Sequence, residues 1–138
     1  MDLDTALNWA AGGRTAVLIT LRRDGRPQSS DVAYTVKDGR FLVSLTASRA
    51  KTANMQRDNR VIVHLTDPGS YTYLSFDCTA ELSPVASEPS DETADALVEY
   101  YQAVAGEHPD WDEYRQAMVD EGRLIATISP KSVVGQIN

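Results

Sequence analysis

The chain has 138 residues, 42% apolar and 24% charged, a composition typical of one soluble globular domain covering residues 1–138. Its single cysteine excludes an intramolecular disulfide, and with only two histidines the sequence predicts no metal site. No apolar run approaches the roughly 20 residues of a membrane span. The acidic start does not resemble a signal peptide, so we expect a cytoplasmic protein. A net charge of −7 argues against nucleic-acid partners.

Positive charge is concentrated in the first half of the chain. Residues 1–60 carry ten Lys or Arg and six Asp or Glu, whereas residues 61–138 carry three and fourteen. An acidic protein that gathers its cations in one half has either concentrated them for an anionic ligand or uses them for solubility and scattered ion pairs. Composition leaves both interpretations open.

The first half of the chain predicts a short helix followed by an antiparallel meander. The helix covers residues 4–11 and ends at Gly12-Gly13, and an apolar, β-branched run at 15–21 predicts a buried strand. Asp24-Gly25 and Asp38-Gly39 predict tight turns, because glycine accepts the positive φ that such turns require. These turns predict further strands near 28–36 and 41–46.

The second half predicts more strands and a pair of helices. Polar residues 48–59 are compatible with a helix, and strands are expected at 60–66 and 71–82. Apolar stripes at helical spacing predict helices ending at Gly106 and Gly122, before two strands separated by Pro130. We therefore expect a mainly β, α+β fold of six to seven antiparallel strands. A small barrel is favoured over a sandwich, with the helical pair against the barrel or a partner subunit.

The segment Ser48–Asn54 is the strongest candidate for a binding site. It places Arg49 and Lys51 at the start of a short helix that directly follows a strand. A helix N-terminus offers unpaired N–H groups and a partial positive charge, and Arg, Lys and Thr side chains add donors for a phosphate. The alternative is a solvated helix face.

Other chemistry-bearing residues are weaker candidates. We interpret His64 and Cys78 as packed within strands and expect His108, in the helix–helix loop, to be exposed. The sequence has no G-x-S-x-G, P-loop or G-x-G-x-x-G motif. With no catalytic side chains predicted, the pattern indicates a bound, phosphate-bearing cofactor that supplies its own reactivity.

Three segments carry a resemblance to a known family: Asp24–Gln28, the Arg49-Ala50-Lys51-Thr52-x-Asn54 motif, and Gly106–Met118. Together they resemble the pyridoxamine 5′-phosphate oxidase-like split β-barrel proteins, in particular the actinobacterial flavin and deazaflavin oxidoreductases. The resemblance implies an FMN-binding type of split barrel and a homodimer with two cofactor sites at its interface. It also implies hydride transfer between coenzyme F420, or FMN, and a small conjugated or electron-poor substrate.

The resemblance also assigns cofactor contacts by position. Arg49 and Lys51 would hold the phosphate, and Tyr71 would reach the cofactor from the other subunit. The cofactor-binding residues so implied are Gln28, Ser30, Thr46, Arg49, Ala50, Lys51, Thr52, Asn54 and Tyr71. Of these, Gln28, Ser30 and Thr46 would face the ring, and Thr52 and Asn54 would lend hydrogen bonds.

Two alternatives stay open beside the F420-dependent reductase. One is an FMN-binding protein with pyridoxamine-like oxidation or flavin reduction, and the other is a non-catalytic flavin carrier. Residues 123–130 lack the tryptophan and second arginine of the true pyridoxamine phosphate oxidases, which disfavours vitamin B6 oxidation. The physiological substrate is not predicted.

Overall fold

A computed structural model describes all 138 residues as four helices and seven strands. The helices are α1 (Leu3–Ala10), α2 (Ala50–Arg57), α3 (Glu92–Ala105) and α4 (Trp111–Asp120). The strands are β1 (Thr15–Leu21), β2 (Pro27–Ala33), β3 (Thr35–Lys37), β4 (Arg40–Thr46), β5 (Arg60–Asp67), β6 (Thr72–Leu82) and β7 (Arg123–Gln136). The predicted fold class is confirmed. None of the helices is long and apolar enough to cross a membrane.

One residue, Tyr34, joins the two edges of the sheet. The seven strands form a single antiparallel sheet in the order β2-β1-β5-β6-β7-β4-β3. Because β2 and β3 are the outermost strands yet are consecutive in the chain, the sheet must curl until its edges meet at Tyr34. The Tyr34 side chain is 2% exposed, and its hydroxyl donates to the Ala10 carbonyl at 2.6 Å. The result is a split barrel with α1 tied to the seam.

This seam corrects the predicted meander and the predicted strand at 28–36. The first hairpin pairs β1 with β2, and the second pairs β3 with β4, but no strand of one hairpin pairs directly with a strand of the other. A tyrosine fits a strand well, so the sequence pattern runs through Tyr34 without interruption. Only the tertiary arrangement shows that the chain changes edges there.

The C-terminal strand corrects a second prediction. Pro130 was expected to separate two strands, but β7 runs without a break through Arg123–Gln136. The register with β6 shifts between Asp77 and Cys78, whose partners are Ser132 and Pro130, so that Lys131 is the extra residue of a bulge. A bulge accommodates a proline because the ladder is already irregular at that point.

The two predicted Asp-Gly turns are confirmed by their backbone angles. Gly25 has a φ of +87°, and at the second turn both Asp38 and Gly39 have positive φ, +52° and +74°. Two consecutive residues with positive φ match the right-handed twist of the flanking strands. The turns thus direct β1 into β2 and β3 into β4.

The interior contains two apolar clusters. The larger one fills the curl of the sheet, and at its centre Phe41 makes edge-on contacts with Tyr34 and Phe76, at centroid distances of 5.5 and 5.1 Å. The smaller cluster lies between the helical pair and β7 and consists of Ala86, Leu97, Tyr114, Met118 and Ile125. The predicted stripe on the helices therefore packs against the sheet.

Asp91 caps α3, and its replacement by alanine is expected to lower the free energy of unfolding at pH 7 by about 1–2 kcal/mol. Its carboxylate accepts from the N–H groups of Ser87, Glu88 and Ala94 at 2.8–3.2 Å. The Ser87 and Ala94 bonds lower the pKa of Asp91 from 3.8 to about 2. This stabilisation is complete above pH 4 and is lost as the pH falls through 2.

Urea denaturation at pH 7 and pH 2.5 checks this expectation. The difference between wild type and Asp91→Ala should shrink markedly at the lower pH. Glu92→Ala removes a neighbouring exposed charge that makes no side-chain hydrogen bond or ion pair, and it should change stability by less than about 0.5 kcal/mol. An equal loss for Asp91→Ala at both pH values would contradict the capping role.

Candidate functional site

The turn from β4 into α2 is held by the Thr46 carbonyl. That carbonyl accepts from the Arg49 N–H at 3.1 Å and from the Thr52 hydroxyl at 2.8 Å. Arg49 is the N-cap residue, in an extended conformation, and no side chain caps the helix. The predicted helix at 48–59 is therefore shorter, and its uncapped start lies directly after the strand, where the sequence placed it.

The start of α2 leaves backbone donors free. The N–H groups of Thr52 and Ala53 both donate to the Arg49 carbonyl, at 3.1 and 3.3 Å. Those of Ala50 and Lys51 precede the first helical bond and have no acceptor within the chain. Free N–H groups at an uncapped helix start are suited to an anion.

Five of the nine predicted residues line one cavity of about 160 Å³, which we call the anion cavity. They are Gln28, Ser30, Arg49, Ala50 and Lys51, drawn from β2 and from the start of α2. The Ser30 hydroxyl oxygen is buried and has no hydrogen-bond partner. A buried hydroxyl without a partner is unfavourable unless a ligand or water forms a hydrogen bond with it. These five residues therefore fit a polar group bound in the cavity.

The electrostatics of the anion cavity also fit an anion. Neither Arg49 nor Lys51 forms an ion pair with a carboxylate. Burial lowers the pKa of the Lys51 ammonium, and the positive charges of Arg49 and Arg123 lower it further. Cations that repel one another in a partly buried site gain from a bound negative charge, which would oppose this shift.

Asn54 positions Gln28 and does not line the anion cavity. Its amide nitrogen donates to the Gln28 side-chain oxygen and to the Thr20 hydroxyl, both at 3.0 Å, and its oxygen accepts from Arg57 at 2.8 Å. Since the Gln28 oxygen is engaged with Asn54, its amide nitrogen remains available as a donor. Asn54 thus ties α2 to β1 and β2 and orients one wall of the cavity.

The three other predicted residues also lie outside the lining of the anion cavity. Thr52 is buried, and its only hydroxyl proton is donated to Thr46, so both residues anchor α2. Tyr71 is 80% exposed in the turn between β5 and β6, with a φ of +57°. A contact from Tyr71 to a cofactor stays a prediction that requires a second subunit.

The other candidate residues, Cys78, His64 and His108, pack against neighbouring side chains. Burial raises the pKa of the Cys78 thiol to about 12, as for a packed and unreactive cysteine. His64 stacks on Tyr73 at a centroid distance of 6.3 Å. His108 was expected to be exposed and is half-buried, because its ring packs against Tyr101 and two other aromatic rings at 5.3–5.6 Å.

A second cavity, which the sequence did not indicate, adjoins the first through Lys51. This tyrosine cavity has a volume of about 390 Å³ and lies between the helical pair and strands β2 and β4. Its lining includes Ser44, Lys51, Tyr100, Tyr101, Tyr114 and Arg123. Tyr101 and Tyr114 belong to apolar helix stripes that are typical of core packing. Arg123 lies 72 positions after Lys51 in the chain, so no local pattern joins these residues.

A curled antiparallel sheet whose outer strands meet at one seam, with a cationic cavity at a strand-to-helix turn, defines a split barrel. The family model described as pyridoxamine 5′-phosphate oxidase matches residues 4–134. The chain therefore belongs to the pyridoxamine 5′-phosphate oxidase family, as the resemblance of its motifs predicted.

Solved structures show the same fold at low sequence identity. A conserved hypothetical protein from Mycobacterium tuberculosis is 24% identical with a TM-score of 0.77, over 98% of this chain and 84% of that one. A protein described as an F420 reductase is 21% identical with a TM-score of 0.66, over 89% and 90%. HutZ, a heme storage protein from Vibrio cholerae, is 16% identical with a TM-score of 0.70, over 98% and 95%. Proteins with different described roles thus share this fold.

Proposed function

We propose that this protein is an oxidoreductase that transfers a hydride between the deazaflavin coenzyme F420 and a small conjugated or electron-poor molecule. The observation that carries the proposal is the anion cavity, where two cations without carboxylate partners meet free N–H groups and a buried hydroxyl without a partner. Family membership and the structural similarity to a protein described as an F420 reductase support the choice of cofactor class.

The residues of the anion cavity divide into two roles in this proposal. Arg49, Lys51 and the first N–H groups of α2 bind the cofactor's phosphate, because they offer charge and directed donors together. The Ser30 hydroxyl and the Gln28 amide, on β2, donate to the ring portion. The bound cofactor supplies the hydride chemistry, and the protein contributes binding and orientation.

The proposal includes a homodimer with two cofactor sites at the subunit interface. Tyr71 supports it, because a large exposed aromatic side chain held in a positive-φ turn is suited to contact with a partner. Light scattering at micromolar concentration should give twice the chain mass of 15.1 kDa. A monomeric mass would contradict the interface site. The cytoplasmic location stays a prediction.

Titration of the purified protein with F420 and with FMN, followed by ring fluorescence, tests the choice of cofactor. We expect F420 to bind more tightly. Tighter binding of FMN would instead favour the second candidate, an FMN-dependent oxidase-like or reductase protein, which the matched family supports.

A second measurement separates a reductase from a carrier. Reduced F420 is mixed with the protein and a panel of quinones and unsaturated lactones, and reoxidation is followed by absorbance. We expect at least one compound to be reduced faster than in the protein-free control. Tight F420 binding without such acceleration would indicate a non-catalytic carrier.

A further inference from the structure

The tyrosine cavity has the size and lining of a small-molecule site. Its volume of about 390 Å³ lies within the range of ligand pockets, about 300–1,000 Å³. Aromatic and aliphatic side chains from α3, α4 and β2 form its walls, and a few polar groups converge on it. An apolar pocket with a few placed polar groups is the usual pattern of a site for an organic ligand.

Two of its three tyrosine rings are held in place by their hydroxyl groups. The Tyr100 hydroxyl donates to the Ala33 carbonyl at 2.8 Å, which ties α3 to β2. The Tyr114 hydroxyl donates to the Leu97 carbonyl at 2.9 Å, which ties α4 to α3. Tyr101 packs on Tyr114 with a centroid distance of 5.0 Å, and its hydroxyl makes no hydrogen bond within the chain. The cavity thus offers preformed ring surfaces and one free hydroxyl.

Cationic charge predominates around the tyrosine cavity. Lys51 and Arg123 both line it, and Lys51 has no carboxylate partner. Arg123 pairs with Glu121 at 3.1 Å and lies 3.5 Å from the Ser44 hydroxyl, so it is anchored from two sides. The one carboxylate in the lining, Asp31, is exposed on β2. A negatively charged group of a ligand would lie best between Lys51 and Arg123.

We propose that the tyrosine cavity binds a flat conjugated ring that carries a carboxylate, with the ring against the tyrosines and the carboxylate near Arg123 and Lys51. Aromatic rings favour stacked and edge-on contacts with other rings, and a guanidinium binds a carboxylate through paired donors. The inference concerns binding alone and needs no bound cofactor. It therefore stands or fails separately from the proposed hydride transfer.

Calorimetric titration of the full chain, without cofactor, tests this inference with 2-naphthoate and its neutral counterpart 2-naphthamide. We expect naphthoate to bind at least tenfold more tightly than naphthamide. Arg123→Gln should remove most of that preference and leave naphthamide binding nearly unchanged. Glu121→Gln is the matched control, because it breaks the same ion pair but keeps the cation, and it should preserve or strengthen naphthoate binding.

Two further variants locate the ligand. Tyr101→Ala should weaken both compounds at least tenfold, since it removes a wall that both rings would contact. Arg40→Gln removes an exposed cation of the β3–β4 turn and should change neither affinity. Circular dichroism confirms that each variant is folded. The proposal is overturned if wild type shows no preference for naphthoate, if Arg123→Gln retains the preference, or if Tyr101→Ala binds both compounds like wild type.

Discussion

Replacing Arg49 and Lys51 together by alanine is expected to weaken F420 binding by about 3–6 kcal/mol, since each charged hydrogen-bond donor contributes about 1.5–3 kcal/mol. Lys51→Ala alone is expected to account for about half of this loss. Both side chains line the anion cavity and neither has a carboxylate partner, so their removal breaks no ion pair of the folded chain. Fluorescence titration of the cofactor measures the change.

A matched variant separates local contact from overall charge. Arg40→Ala with Lys131→Ala removes the same two positive charges from exposed positions outside the anion cavity. Its dissociation constant should stay within about threefold of wild type, because neither side chain lines the cavity and salt screens charges that are exposed to solvent. Equal weakening in the two double variants would show that the cavity cations act only through net charge.

The second large effect is expected for Phe41→Ala, which should lower the free energy of unfolding by about 3–5 kcal/mol. Phe41 is fully buried and makes edge-on ring contacts with Tyr34 and Phe76. Truncation leaves a cavity where the seam of the barrel meets the centre of the sheet. Urea denaturation of wild type and variant at pH 7 measures the loss.

Val134→Ala is the control for this stability measurement. Val134 lies on the same sheet, in β7, but is 67% exposed, so its truncation should change stability by less than about 0.5 kcal/mol. A loss of under 1 kcal/mol for Phe41→Ala would contradict the role assigned to this contact. The comparison therefore isolates packing at the seam from a general effect of shortening a strand side chain.

The local elements could be predicted because their causes are local. Two Asp-Gly pairs specify hairpin turns through backbone angles that glycine accepts, and the structure confirms both turns. The apolar stripe from Leu97 to Val119 predicted two helices, because residues three and four apart share one helix face. Whether they would pack on the barrel or on a partner subunit was left open, and the structure packs them against β7. These features depend on side chains within a few positions of one another.

The seam and the last strand could not be predicted for the opposite reason. Tyr34 carries no signal of its own, and its place between two sheet edges depends on β7, which ends at Gln136, 102 residues further along the chain. Pro130 is a local signal for a break in the strand. The residues before and after it pair with β6, and a bulge at Lys131 accommodates the proline, so the strand continues. In both places the long-range ladder determines the structure.

The candidate site also has features that the local sequence predicts and features that depend on long-range pairing. Arg49 and Lys51 are adjacent to a strand-to-helix turn, so their clustering was visible in the sequence. The missing partner of Ser30, the bonds from Asn54 to Gln28 and the approach of Arg123 to Lys51 arise only when distant strands pair. The cationic character of the site was therefore predictable, and its shape and its second cavity were not.

A crystal structure of the protein with bound F420 tests the central claim most directly. The account predicts the cofactor's phosphate within hydrogen-bond distance of the Arg49 and Lys51 side chains and of the first N–H groups of α2. A phosphate bound elsewhere, with Arg49 and Lys51 facing bulk solvent, would contradict it.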